Sequence, residues 1–227
     1  MKVVIIGGVA GGATAAARIR RLDEKAEIVV FERSGFISYA NCGLPYYIGG
    51  TIEDEGDLTL QTPESFYKRF RVKMNVRHEV TALHPESKMV TVKNIENGTV
   101  FTETYDKLIL SPGAKPIKPN FEGIDSDKIF TLRTVEDTLK IKKFINEKYP
   151  KSAVVVGGGF IGIEVAENLR ELGIDVTLVE AADQLMAPFD SDMASFIHAE
   201  LRKNGINLML GRFVEGFADT DDGICVQ

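Results

Sequence analysis

Ser152–Ala181 reads SAVVVGGGFIGIEVAENLRELGIDVTLVEA, and the fold follows from this stretch. An apolar, β-branched run leads into Gly157-Gly158-Gly159-Phe160-Ile161-Gly162. A segment of helical character follows, then a short break, then a second apolar run closing on Glu180. Strand, glycine turn, helix and strand in that order are the β-α-β unit of a parallel, doubly wound sheet. Within G-x-G-x-x-G, Gly157 permits a tight turn, Gly159 lets a pyrophosphate approach the backbone, and Gly162 lets helix and strand pack closely. The helix start offers N–H groups and its positive dipole end to phosphates, so Gly157, Gly159, Phe160, Ile161 and Gly162 are expected to hold a dinucleotide. Glu180 follows Gly162 by 18 residues. A carboxylate there accepts hydrogen bonds from a ribose 2′-hydroxyl and repels a 2′-phosphate, which favours NADH over NADPH.

The same order occurs 150 residues earlier, where Lys2–Arg33 reads KVVIIGGVAGGATAAARIRRLDEKAEIVVFER. Its turn, Gly7-Gly8-Val9-Ala10-Gly11-Gly12, departs from the pattern at Val9, and Glu32 follows Gly12 by 20 residues. Two dinucleotide units in one chain are the plan of enzymes that hold FAD and NAD(P)H together. The expected fold is α/β, with two Rossmann-like domains: an FAD-binding domain at 1–118 and an NAD-binding domain at 119–227. Between the repeats, Val76–Ala82, Lys88–Lys93 and Val100–Tyr105 read as strands of an inserted antiparallel meander, with Asn97-Gly98 as a hairpin turn. Leu108–Leu110 is a short buried strand, and the punctuated stretch Ser111–Gly123 suits a domain crossover. Thr134–Glu147 and Asp190–Asn204 read as helices, and Asn207–Leu210 and Phe213–Phe217 as strands. Asp221–Gln227 reads as the start of a hairpin without a closing partner, so the second domain is expected to be incomplete.

Composition narrows the classes. The chain has 227 residues, 33 acidic and 27 basic, for a net charge of −6, which argues against general nucleic-acid affinity. Two basic clusters, Arg18/Arg20/Arg21 and Lys68/Arg69/Arg71/Lys73, suit either a small anionic ligand or a solvated helix face. No run approaches the ~20 apolar residues of a membrane span, and no secretory signal opens the sequence, so a cytoplasmic location is expected. Cys42 and Cys225 lie far apart and make no disulfide framework. His78, His84 and His198 lack ligand spacing, and no metal is expected.

Cys42 lies in Ser38-Tyr39-Ala40-Asn41-Cys42-Gly43-Leu44-Pro45-Tyr46-Tyr47-Ile48-Gly49, just past the second strand of the first repeat. Asn41 is a good N-cap and Pro45 is tolerated in a first turn, which places Cys42 at a helix start where the dipole favours thiolate. From this segment alone, a reactive sulfur and a structural cysteine beside a tight turn both remain open.

GGVAGGATAAARIRRL at Gly7–Leu22, SYANCGLPYYIGG at Ser38–Gly50, LQTPESF at Leu60–Phe66, YDKLILSPGAKP at Tyr105–Pro116 and VVVGGGFIGIEVAENL at Val154–Leu169 together carry a resemblance. The chain resembles the N-terminal part of the pyridine nucleotide–disulfide oxidoreductases, most closely coenzyme A-disulfide reductases, including rhodanese-fused forms. Tyr47 stands where glutathione-reductase-like members carry a second cysteine, and Ala10 where NADH peroxidases and oxidases carry a histidine. The resemblance therefore implies reduction of coenzyme A disulfide, or of CoA persulfide or polysulfide, through Cys42 as the one redox sulfur. An NADH oxidase or peroxidase, and a non-catalytic nucleotide-binding fragment, are the alternatives. It further implies FAD contacts from Gly7, Gly8, Ala10, Gly11, Gly12, Glu32, Arg33, Asn41, Val80, Ser111 and Gly113, with Glu164 near flavin and nicotinamide. The face of Thr14, Arg18 and Arg21, with Ser38 and Asn41 and more weakly Arg71, is implied to meet the CoA phosphates. Relatives continue into a dimerisation domain, so a homodimer is implied for the full-length parent, and this chain alone is expected to be a fragment of that architecture.

Overall fold

The computed structural model describes residues 1–227, which form two compact units. One comprises Met1–Ala40 and Glu55–Lys115, the other Asn41–Asp54 and Pro116–Gln227. The border at Lys115/Pro116 falls inside the expected crossover. The excursion of Asn41–Asp54 into the second unit has no counterpart in the sequence punctuation.

In chain order, β1 (Lys2–Ile6), α1 (Ala10–Leu22) and β2 (Glu27–Phe31) open the first unit. Asn41–Gly43 is a 3-10 turn leading into α2 (Leu44–Gly49), both in the second unit. The first unit resumes with α3 (Glu55–Leu58), α4 (Pro63–Phe70), β3 (Lys73–Asn75), β4 (His78–His84), β5 (Met89–Asn94), β6 (Val100–Thr104) and β7 (Lys107–Leu110). Its parallel sheet has the order β3-β2-β1-β7, and β4-β5-β6 form the antiparallel meander anticipated between the repeats. Both faces of the parallel sheet are covered, which is why its strands read as unbroken apolar runs. Val3, Ile5, Ile28 and Val30 pack with Ala13, Ala16 and Ala17 of α1 and Phe66 of α4. Val4, Val29 and Phe31, pointing the other way, pack with Val90 and Val92 of the meander. Asn97-Gly98 lies in the β5–β6 connection, with Gly98 at φ +75°. β3 and α4 were not among the expected elements; α4 is opened by Thr62, whose hydroxyl accepts from the Ser65 N–H while Ser65 accepts from that of Thr62.

The second unit continues with α5 (Val135–Lys148), β8 (Ser152–Val156), α6 (Phe160–Glu171), β9 (Asp175–Glu180), α7 (Ser191–Lys203), β10 (Asn207–Leu210), β11 (Phe217–Thr220) and β12 (Gly223–Val226). Its parallel sheet has the order β10-β9-β8. The core gathers Ala166, Leu169, Val176, Leu178, Leu185, Leu201 and Ile206, with Ile48 of α2 among them. Two expectations need correction. Of Phe213–Phe217 only Phe217 is in a strand. Gly211 at φ +63° turns the chain, and the N–H groups of Gly211 and Arg212 bond the carbonyls of Ala182 and Glu180 instead of a ladder. The final segment does find a partner: β12 pairs antiparallel with β11, from Phe217↔Val226 to Thr220↔Gly223. No helix is long and apolar enough to cross a membrane.

Candidate functional site: two nucleotide turns, a thiol segment and a basic cleft

The two glycine turns repeat in detail. Gly7 has φ +96° and Gly157 φ +105°, where a side chain is strained, and a Cβ at Gly7 would lie 2.0 Å from the Ser111 carbonyl oxygen. A Cβ at Gly12 or Gly162 would meet the carbonyl oxygen of Gly7 or Gly157 at 1.8 and 1.9 Å. The middle position makes no such demand: Val9 has φ −98° and Gly159 φ −81°. That is the physical reason Val9 departs from the pattern without breaking the turn. The place of a Cβ at Gly159 has nothing within 4 Å, an open approach that fits a phosphate.

Glu32 and Glu180, at the end of the second strand of each repeat, are both held by backbone donors. Glu32 Oε2 accepts from the Gly8 N–H at 2.7 Å and Glu180 Oε2 from the Gly158 N–H at 2.6 Å. The other oxygens accept from Ser34 and Ala182, at 2.7 and 2.8 Å. A carboxylate has about four lone-pair sites, so both keep capacity for ribose hydroxyls. The repeat runs further than its sequence shows. Six residues past each acid, Ser38 and Met186 take left-handed φ of 46° and 53° and donate N–H to the Gly8 and Gly158 carbonyls. Ser and Met share no chemistry, so sequence carried no signal for this.

Other expected contacts are spread around these turns. Ala10 opens α1, and Gly11 would bring a Cβ to 3.2 Å from Ser111 Oγ. Gly113 has φ +72°, Arg33 is an exposed partner of Glu79 at 3.8 Å, and Val80 packs with the meander core. Phe160 and Ile161 are exposed at the start of α6, and Glu164 is half-buried past its first turn.

Cys42 is exposed and unbridged in the 3-10 turn before α2. Asn41 does not cap the helix, which corrects the expectation: Gly43 holds the N-cap position, and Asn41 Oδ1 accepts from Arg133 Nη1 at 2.8 Å. At the other end of α2, Lys142 Nζ donates to the Ile48 carbonyl at 2.7 Å, and burial lowers the pKa of that ammonium. Tyr46 is a neighbour that sequence reading missed, although it lies four residues after Cys42. Its pKa is raised by the charge of Glu164 first, then by burial, then by Glu167 and Cys42. These neighbours favour the protonated phenol.

The first unit holds an open cleft of about 260 Å³ lined by Ala13, Thr14, Ala17, Arg21, Ser38, Gln61, Phe66, Arg69 and Phe70. Thr14, Arg21 and Ser38 are thus brought together as expected. Arg18 is exposed on α1 and Arg71 caps α4 in a left-handed conformation, and neither lines the cleft. Arg69 does so instead. The Arg21 and Arg69 guanidiniums pack on the Phe70 ring, 5.9 and 5.1 Å from its centroid, so one aromatic supports both cations. Arg20 has a structural task, donating to the carbonyls of Phe70, Arg71, Asp23 and Glu24. No group of three or more His, Cys, Asp or Glu is placed to hold a metal ion.

Two parallel sheets, each with a glycine turn after its first strand and a carboxylate at the end of its second, are the framework of a dinucleotide-binding fold. The family described as pyridine nucleotide-disulphide oxidoreductase matches residues 1–227, and the chain belongs to it. The coenzyme A disulfide reductase of Staphylococcus haemolyticus is 43% identical over 218 residues, covering 96% of this chain and 49% of that protein. The chain thus spans about half the length of the curated relatives it matches. The structure of reduced Bacillus anthracis CoADR-RHD superposes with a TM-score of 0.94 at 47% identity, over 99% of this chain and 42% of that one. A NAD-dependent persulfide reductase from A. fulgidus also gives 0.94, at 36% identity over 100% and 42% of the two chains. A water-forming NADH oxidase from Lactobacillus brevis, bound to NADH, gives 0.94 at 35% identity over 100% and 50%.

Proposed function

We propose that the chain is the dinucleotide-binding part of an FAD-dependent, NADH-driven reductase of coenzyme A disulfide or CoA persulfide that works through Cys42. The first unit is the FAD-binding one and the second the NAD-binding one. The observation that carries the substrate class is the cleft, where two cations on one aromatic ring meet the hydroxyls of Thr14 and Ser38. That donor set suits the phosphates of a nucleotide-borne thiol, and Cys42 follows Ser38 by four residues.

The Cys42 thiolate attacks one sulfur of CoA disulfide, forming a Cys42–CoA disulfide and expelling one CoA thiolate. FAD, which the first glycine turn and Glu32 would hold, would supply the electron pair from NADH that this second disulfide needs to give back Cys42 and CoA as thiolates. The sum is NADH, a proton and CoA disulfide giving NAD⁺ and two CoA thiols. With CoA persulfide the same two electrons yield CoA thiol and hydrogen sulfide. Glu180 would hold the adenosine ribose of NADH by its 2′-hydroxyl, and Glu32 would do the same for FAD. Ala10, in place of a proton-transferring side chain in the first turn, favours thiol chemistry over oxygen chemistry.

Intact mass after incubation with CoA disulfide tests the assignment. Wild type should gain one CoA adduct, removable by reductant, and Cys42→Ser none. CoA-disulfide reduction by Cys42→Ser at a rate comparable to wild type would overturn it, as would NADH consumption supported by oxygen but not by CoA disulfide.

A further inference from the structure

Asn168 is a buried polar group to which this chemistry gives no task. It is 1% exposed in the interior of α6, between the apolar Ala166 and Leu169. Its Nδ2 donates to the Glu164 carbonyl at 2.8 Å, but its Oδ1 has no hydrogen-bond partner. Buried acceptors are nearly always paired, so an orphan calls for a reason. What faces it is Gly49, in the last turn of α2. A Cβ there would lie 2.1 Å from Asn168 Oδ1, 2.8 Å from Cγ and 2.9 Å from Cβ. Gly49 has no left-handed φ that would demand glycine; Gly50, at φ +91°, fills that role. Glycine at 49 is required by proximity to Asn168, a close approach in which a Cα–H can face the orphan oxygen.

α2 therefore meets the rest of the second unit at three places. Arg133 donates to Asn41 before the thiol, Lys142 donates to the Ile48 carbonyl, and Gly49 lies closely against Asn168 of α6. The N-terminus of the same α6 carries the second nucleotide turn. We propose that Asn168 is a positioning residue for Cys42: by admitting only glycine at 49, it sets the separation of α2 from α6 and hence the place of the thiol relative to the nucleotide turn. This deepens the reading of Cys42 as the redox sulfur and rests on it.

The test is the rate at which iodoacetamide alkylates Cys42 in the full chain, read by peptide mass with the exposed Cys225 as internal standard. Gly49→Ala should change the Cys42 rate relative to Cys225 by about five-fold or more, as expected for directly packed neighbours. Asn168→Ala in the same chain clears the space and should restore the rate to within about two-fold of wild type. A contact that is merely structural would lower the melting temperature of Gly49→Ala and leave the Cys42-to-Cys225 ratio unchanged, which overturns the proposal. If Gly49→Ala is insoluble, recovery of soluble protein and of the wild-type ratio in the double variant supports it, and an insoluble double variant overturns it. Alkylation needs no turnover. Failure of the redox reading would instead show as CoA-disulfide reduction by Cys42→Ser.

Discussion

Arg69 and Arg71 belong to one basic run, and only the fold separates their tasks. Arg69, in the last turn of α4, stacks on Phe70 at the cleft, whereas Arg71 takes φ +52° and ends the helix. The resemblance implied Arg71 as the weaker candidate and did not single out Arg69, and a run of like residues carries no information about which of them faces a cavity. Arg69→Ala should weaken CoA binding by about 1–3 kcal/mol, the scale of a lost charged hydrogen bond. Arg71→Ala should change it by less than about 0.5 kcal/mol, as for a surface substitution. Calorimetric titration with CoA measures both, and a larger effect at Arg71 would reject the cleft as the binding site. Glu180 was legible from spacing alone, since its place at the end of a strand is local. Because it also holds Gly158 and Ala182, Glu180→Gln is the cleaner probe: it removes the charge and keeps an acceptor oxygen. Glu180→Gln should shift the balance between the two nucleotides toward NADPH by about 1–3 kcal/mol. Fluorescence titration with both nucleotides checks this, and an unchanged ratio of dissociation constants would show that selectivity lies elsewhere.

Among elements, the β-α-β units were legible because each is contiguous, with strand, turn and helix within some thirty residues. The loop after β9 was not. Its shape depends on His198 of α7, whose Nε2 accepts the Leu185 N–H at 3.0 Å, and on Leu185, which lies where a Cβ of Gly158 would go. Burial, then the charge of Arg202, lowers the His198 pKa below its ordinary value. The neutral ring is the acceptor, so the folded state favours the unprotonated form. The stabilisation is complete above the ordinary histidine range, near pH 6.5, and is lost as pH falls through the lowered folded value. Thermal melts from neutral to mildly acidic pH should show a loss of stability in wild type that is smaller in His198→Gln, because an amide oxygen accepts without titrating. Equal acid sensitivity in the two proteins would show that another group is responsible.

For the whole molecule, net charge and local charge point in opposite directions. At −6 the chain repels an anion from a distance, while Arg21 and Arg69 attract one at contact. The Debye length is about 10 Å at 0.1 M salt, so the distant acids are largely screened and the contact charges dominate. CoA affinity should therefore fall as salt rises from about 0.05 to about 0.5 M, opposite to the sign that net charge alone predicts. Affinity that rises with salt would mean the cleft cations are not at the ligand.

Sequence alone determined the two repeats, the glycines that backbone angle or close packing requires, the two carboxylates and the meander between them. These are properties of short stretches, in which covalent geometry and side-chain periodicity leave few alternatives. Tertiary structure alone decided that Asn41–Asp54 joins the second unit, that Asn41 bonds Arg133 rather than capping a helix, and that Arg69 faces the cleft. Asn41 and Arg133 are 92 residues apart. A contact of that range exists only once the chain has closed on itself, and no local pattern records which side chains then meet.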